Sequence, residues 1–236
     1  VSQPRLLVES SVADEFVAFM TRDELILLTL DICNIDSPVG PERAVAERLE
    51  TWFQAEGFPV RRIGLLADRY NLLARLPGTA RGRPCLMFNG HMDTYSPRQA
   101  DLVQLDPTRD ELHKAWVEGD HLVGDGVVND KGPIAAFMIA AKAIRNSGHR
   151  LSGDVLLSVV VAETAYEPCD GAPGELVDSK ELGARFLATH GGFADYVLVA
   201  EGTGFGVVWI EAGKFWFRVT LRSPQPAFYT PYMPER

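Results

Sequence analysis

Cysteine is scarce in this 236-residue chain: Cys33, Cys85 and Cys169 lie far apart and form no C-x-x-C pattern. That spacing argues against a disulfide framework and a thiolate zinc site, fits a reducing compartment, and makes the cytoplasm the expected location. Positive charge is also short. The formal net charge is −9 and no Lys/Arg run occurs, so no nucleic-acid partner is expected. No apolar run reaches membrane-spanning length, and Val1 to Met20 lack a basic segment followed by an apolar one, so no membrane partner is expected either. Missing too are a Gly-x-Ser-x-Gly elbow, a convincing Ser-His-Asp set, a plausible catalytic cysteine and the glycine spacing of phosphate or dinucleotide loops. With 46% apolar and 23% charged residues, the composition is that of a soluble globular protein with one good core, or one core and a small appendage.

Against these absences stands one stretch, Phe88-Asn89-Gly90-His91-Met92-Asp93-Thr94. The apolar run from Cys85 to Phe88 predicts a buried strand that stops on Asn-Gly, where the backbone turns and exposes the residues after it. If strand geometry persists through the turn, His91 and Asp93 project to the same side. The Asp93 carboxylate then accepts the ring N–H of His91 and leaves the other nitrogen for a metal. Taken alone, a His-x-Asp is more often a turn whose two side chains pair in solvent. The rest of the chain shifts that balance.

Thr21-Arg22-Asp23-Glu24 has the form of a capping box before an apolar run, which predicts a helix ending before Asn34. A second helix is predicted from Pro41 to Ala55, with Val45, Leu49, Trp52 and Phe53 inward and Gly57 at its end. Val60–Ile63, Asn71–Leu76 and Cys85–Phe88 are predicted strands, and Trp116-Val117 with His121 to Val123 a short strand pair. A glycine-rich loop, Gly124 to Gly132, leads into a helix with Pro133 as its first residue. Gly153 to Val161 is the most β-rich run and ends at Glu163. Ser179 to His190 is an expected amphipathic helix. Asp195 to Ala200 is an expected buried strand, ending at Glu201. Carboxylates at the carboxyl ends of buried strands sit where open α/β sheets place their chemistry, so His91, Glu163 and Glu201 are expected to share one edge.

These motifs, in this order, resemble the metallo-aminoacylase and carboxypeptidase family that includes acetylornithine deacetylase, succinyl-diaminopimelate desuccinylase and carboxypeptidase G. The resemblance rests on His91-x-Asp93-Thr94, the Gly-x-Gly loop ending in Lys131-Gly132, the strand-end Glu163 and Glu201-x-Thr203, and it covers nearly the whole chain. It implies an α/β fold: a three-layer, zinc-peptidase-like catalytic domain with a mixed sheet over residues 1–211, and the beginning of a small α+β lid or dimerisation domain over 212–236. It implies a metal-dependent hydrolase cleaving an amide or related C–N bond of a small carboxylate-bearing substrate. His91 and Glu201 would be metal ligands, Asp93 the group that orients His91, and Glu163 the general base. The chemistry is consistent, since a bound divalent ion lowers the pKa of water to about 7 and one glutamate can take and return the proton.

The sequence departs from the family pattern in three places. Asn129 stands where the family has a bridging aspartate, with Asp130 one residue later. Thr164 follows Glu163 where a second glutamate is usual. The chain also ends before the distant histidine of the second metal site. Two ions bring four positive charges into a partly desolvated site and need more anionic ligands than remain. One ion is therefore expected rather than two, zinc by donor type, with manganese or cobalt as alternatives, held by His91, Asn129 and Glu201. Asp130 or Glu167 could replace a missing ligand. Ala227 falls where the lid histidine would lie, beside Tyr229. The resemblance further implies that this chain is a fragment or one of two polypeptides, and that it works as a homo-oligomer or with a second chain supplying the C-terminal half. Val207 to Ile210 and Lys214 to Leu221 are expected strands, and Trp209, Trp216 and Phe228 are more often core than pocket lining at such spacing. The competing reading is a non-catalytic relative serving as a binding or regulatory subunit, which would have no reason to keep Glu163.

Overall fold

A computed structural model describes residues 10–94, 114–164, 182–204 and 206–210. The first described elements are α1 (Ser10–Val17), a helix that no sequence signal marked, and α2 (Arg22–Cys33). Thr21 caps α2 as expected, its hydroxyl accepting the Glu24 N–H at 3.2 Å. The Glu24 carboxylate goes to Lys142 instead of turning back on the cap, so the capping box is only half made. Next comes α3 (Arg43–Ala55), which buries Val45, Leu49, Trp52 and Phe53, and Gly57 with φ +74° turns the chain out of it.

Strands β1 (Val60–Ile63), β2 (Asn71–Leu76) and β3 (Leu86–His91) come next, then the antiparallel pair β4 (Ala115–Glu118) and β5 (His121–Gly124). Helix α4 (Lys131–Asn146), strand β6 (Val155–Val160), helix α5 (Ala184–Thr189) and strand β7 (Tyr196–Val199) complete the described elements. The main sheet runs β1-β2-β6-β3-β7. Its β1, β2 and β6 are antiparallel neighbours, whereas β6, β3 and β7 run parallel. This is the expected mixed sheet.

Packing obeys the two-residue alternation of the strands. Leu72, Ala74, Leu157, Val159 and Val161 meet α2, α3 and α4 on one face, where Ile32, Leu49, Phe53, Ile134 and Met138 are fully buried. Ile63, Leu73, Met87, Leu156 and Val160 meet Phe186 and Leu187 of α5 on the other. Helices thus cover both faces, giving three layers. All six residues of β6 are buried, five of them apolar, as a central strand requires, and the polar one, Ser158, donates its hydroxyl to Phe88 O at 3.2 Å.

Several elements differ from their sequence expectations for local reasons. The β3 strand does not stop at Phe88. Asn89, Gly90 and His91 continue the parallel ladder against Ser158, Val159 and Val160, and Asn89 Nδ2 donates to Ser158 Oγ at 2.8 Å. Pairing with a central strand overrides the turn preference of Asn-Gly. Helix α4 starts two residues before Pro133, which is tolerated because the first-turn N–H groups have no intrahelical acceptor. Gly183, at ψ −125°, delays α5 to Ala184, and Leu182 packs in the opposite core from Leu187. Strand β7 is an edge among the described residues, and Tyr196 to Val199 are exposed rather than buried. Val207 to Ile210 form no strand, because none of the described residues pairs with them, and Trp209 is exposed. The expected strand from Lys214 to Leu221, the lid segment 212–236, Glu167, and Trp216, Ala227, Phe228 and Tyr229 lie outside the described residues.

A buried ion pair ties the start of α3 to the approach to β2. Arg69 is 4% exposed and Glu42 0%, and their fork geometry gives Nε to Oε2 at 2.8 Å and Nη2 to Oε1 at 2.6 Å. Removing one partner leaves an uncompensated buried charge. Arg69→Met is expected to lower unfolding free energy by about 3–5 kcal/mol. In urea denaturation, adding Glu42→Met to that variant should recover much of the loss. A full loss in the double variant would show that packing, and not the stranded charge, sets the cost.

Candidate metal centre

The site forms at the carboxyl ends of β3 and β6. The chain leaves β3 toward α4 on one face of the sheet, whereas α5, after β6, packs on the other. Adjacent parallel strands whose connections diverge in this way open a crevice at their carboxyl ends. His91 closes β3, and Glu163 lies three residues beyond β6. Glu201 comes after β7, whose end is held by Ala200 N–H donating to Asn89 O at 2.9 Å.

His91 Nε2 lies 3.7 Å from Glu201 Oε1 and 3.9 Å from Glu163 Oε2. One donor atom from each of the three residues falls within 4.8 Å of the others. The ring is 2% exposed, while the two carboxylates are 43% and 39% exposed, so the cluster opens to solvent on its acidic side. Asn129 completes the rim, with Oδ1 2.5 Å from His91 Nε2 and Nδ2 donating to Glu201 Oε2 at 3.4 Å. Four of the five residues expected at the site therefore converge.

The fifth, Asp93, lies beside them but acts differently from expectation. His91 Nδ1 is 2.8 Å from the main-chain oxygen of Asp93 and 3.6 Å from its carboxylate. The carbonyl thus does the orienting assigned to the side chain, because β3 ends at His91 and strand alternation does not carry through to Asp93. Its carboxylate, fully buried, instead accepts from Glu163 N–H at 3.0 Å, Thr164 N–H at 2.7 Å and the Thr164 hydroxyl at 2.6 Å. Burial opposes its ionisation, yet the neighbouring His91 ring and the Thr164 donors hold the carboxyl below the usual range.

Asp130 does not join the three-residue cluster. Its Oδ2 accepts the His91 N–H at 3.0 Å, and its Oδ1 is buried with no partner among the described residues. Burial pushes its carboxyl up to about 8, against the His91 charge that lowers it, with Glu201 and Glu163 adding repulsion. For His91 burial works the other way. Desolvation alone would lower the ring, but Asp93, Asp130 and Glu163 override it and raise it to about 9. Lys131, 1% exposed, donates to Ile35 O at 2.7 Å and fastens the loop to the end of α2. The donor role of Thr164 was not legible in the sequence, where it stood only for a missing carboxylate.

One imidazole and two carboxylates around an open face form a donor set suited to a divalent cation. The Asp93 carbonyl fixes the tautomer that leaves Nε2 as the ligand atom.

The model of peptidase family M20/M25/M40 matches residues 87–220, more than half of the chain. An N-formyl-4-amino-5-aminomethyl-2-methylpyrimidine deformylase of Bacillus subtilis is 26% identical over 204 residues, 80% of this chain and 43% of that protein. Acetylornithine deacetylase of Vibrio vulnificus is 30% identical over 162 residues, 68% of this chain and 36% of that one. The chain spans less than half the length of either relative. Human carnosine dipeptidase 1 shares the fold at a TM-score of 0.56 and 19% identity, covering 83% of this chain and 41% of that one. An M20 family metallo-carboxypeptidase from Sulfolobus solfataricus does so at 0.52 and 17%, covering 75% and 37%. With the family model spanning the strands that carry His91, Glu163 and Glu201, the chain belongs to peptidase family M20/M25/M40.

Proposed function

We propose that this chain carries the catalytic centre of a metal-dependent hydrolase that cleaves an amide or related C–N bond of a small, carboxylate-bearing substrate. The observation that carries the reading is the convergence of His91, Glu163 and Glu201 on one open crevice. The family is metal-dependent, and relatives named deformylase and deacetylase favour an N-formyl or N-acetyl group as the part removed.

His91 Nε2 and Glu201 would hold the ion, with the Asn129 amide oxygen completing the set. A bound divalent ion supplies polarisation of the scissile carbonyl and a water acidic enough to attack near neutral pH. Glu163, solvent-accessible and facing the same edge, takes the proton from the attacking water and returns it to the leaving amine. Asn129 is neutral, and Thr164 is committed to Asp93, so neither adds an anion. That balance supports one ion, with zinc as the first choice and manganese or cobalt as alternatives. Among the described residues β7 presents an exposed edge, Tyr196 to Val199, which supports a working assembly with a second copy or a second chain. The scattered cysteines fit a cytoplasmic setting.

Purified protein should hydrolyse members of a panel of N-formyl and N-acetyl amino acids, lose that activity to a chelator and regain it with about one equivalent of zinc, manganese or cobalt. Activity indifferent to chelation overturns the reading. Glu163→Gln should lower kcat by about 10²–10⁴-fold while the ion is still bound. Asn129→Asp places a negative charge against the ion and should tighten it at least about tenfold, since a unit charge at about 4 Å is worth several kcal/mol near a protein surface. Competition with a fluorescent chelator measures that change, and unchanged affinity would place Asn129 outside the ligand set.

A further inference from the structure

Glu163 is presented by an unusual turn. Ala162, fully buried, has φ +62°, a left-handed conformation that a residue with a Cβ adopts only when its surroundings enforce it. The surroundings here are two buried polar side chains. On the near side, Asn71 Oδ1 accepts the Val161 N–H at 3.1 Å, and its Nδ2 is anchored on Ile63 O and Leu182 O. On the far side, the Asp93 carboxylate accepts the Glu163 and Thr164 N–H groups, one on each oxygen, and the Thr164 hydroxyl as well. These three donors all belong to Glu163 itself or to the residue directly after it. The Glu163 side chain is itself 43% exposed, so its aim toward His91 depends on how firmly the main chain beneath it is held.

We propose that Thr164 is a positioning residue for Glu163: its hydroxyl completes a three-donor clasp on Asp93 that locks the left-handed turn and points Glu163 at the His91–Glu201 edge. The proposal rests on the reading of Glu163 as general base. It makes Thr164 more than a vacancy in the ligand pattern. A hydroxyl bonded to an ionised, buried carboxylate is a charge-assisted contact, stronger than a neutral one and directional. Without it, two N–H groups remain to restrain a turn that alanine disfavours. His91 closes β3 and is oriented by the Asp93 main-chain oxygen, and Glu201 follows β7, so the Thr164 hydroxyl, bonded to the Asp93 carboxylate, contacts neither.

The test uses the full chain with Thr164→Val, which keeps the shape and removes the hydroxyl, and Thr164→Ser, which keeps the hydroxyl. Three properties are measured: deuterium exchange of the peptide spanning 161–164, zinc affinity, and kcat and KM on whichever N-acyl amino acid the wild type turns over best. For Thr164→Val the expected result is exchange at least tenfold faster in that peptide and kcat at least tenfold lower, with KM and zinc affinity within threefold of wild type. Thr164→Ser should stay within threefold of wild type throughout. A kcat for Thr164→Val within threefold of wild type overturns the proposal, as does a serine variant as impaired as the valine one. If valine prevents folding, Thr164→Ala takes its place against the same criteria. A wild type that turns over no substrate removes the hydrolase reading and with it the role of Glu163. In that case exchange still shows whether the clasp holds the turn.

Discussion

The parallel pairing of β3 with β6 is the constraint on which the site depends. Its register runs without a break from Leu86 opposite Val155 to His91 opposite Val160, and Met92 N–H extends it by donating to Val160 O at 2.8 Å. A shift of one residue would turn His91 to the opposite face and separate it from the turn that bears Glu163. Gly90 protects this register from the side. A Cβ there would lie 2.6 Å from Asp130 Oδ2 and 2.7 Å from Ile134 Cγ1, so only glycine lets the start of α4 approach closely enough for Asp130 to accept the His91 N–H. Strand pairing, helix approach and histidine placement are therefore one arrangement.

Electrostatics explains why that arrangement favours a cation. Asp93, Asp130, Glu163 and Glu201 surround one imidazole, and two of the four acids are fully buried. Without an ion the cluster compensates by keeping protons: His91 is raised to about 9 and Asp130 to about 8. A divalent cation offers the same relief without protonating the ligand nitrogen, provided His91 gives up the proton on Nε2. The Asp93 carbonyl, by accepting from Nδ1, makes that the nitrogen that is released.

Much of this was legible in the sequence because it is carried by local patterns. Short runs bounded by turn residues marked β1 and β2, β-rich composition marked β6, the Thr21 cap marked α2, and strand-end carboxylates marked Glu163 and Glu201. What escaped was set by contacts between distant segments. Asn89-Gly90 has turn chemistry, and only the presence of Ser158 and Val159 alongside keeps it in the strand. The orienting role of Asp93 passes from side chain to main chain because the strand ends two residues earlier than simple alternation assumes. Thr164 and Asp93 are 71 positions apart, and no spacing rule connects them. The expected burial of β7 came from its apolar composition, which says nothing about whether a neighbour is present.

The two neutral substitutions in the metal pattern acquire a common physical sense in the structure. Where the family pattern places carboxylates, Asn129 and Thr164 each bring a hydrogen-bond donor, and each donates to an acid that remains. Asn129 Nδ2 turns to Glu201, and the Thr164 hydroxyl turns to Asp93. A site with fewer anionic side chains loses charges that would otherwise hold its remaining carboxylates in place. Donors can hold them instead, at short range and with defined direction. The pair of changes thereby puts hydrogen-bonded scaffolding in place of ionic scaffolding around His91, Glu163 and Glu201.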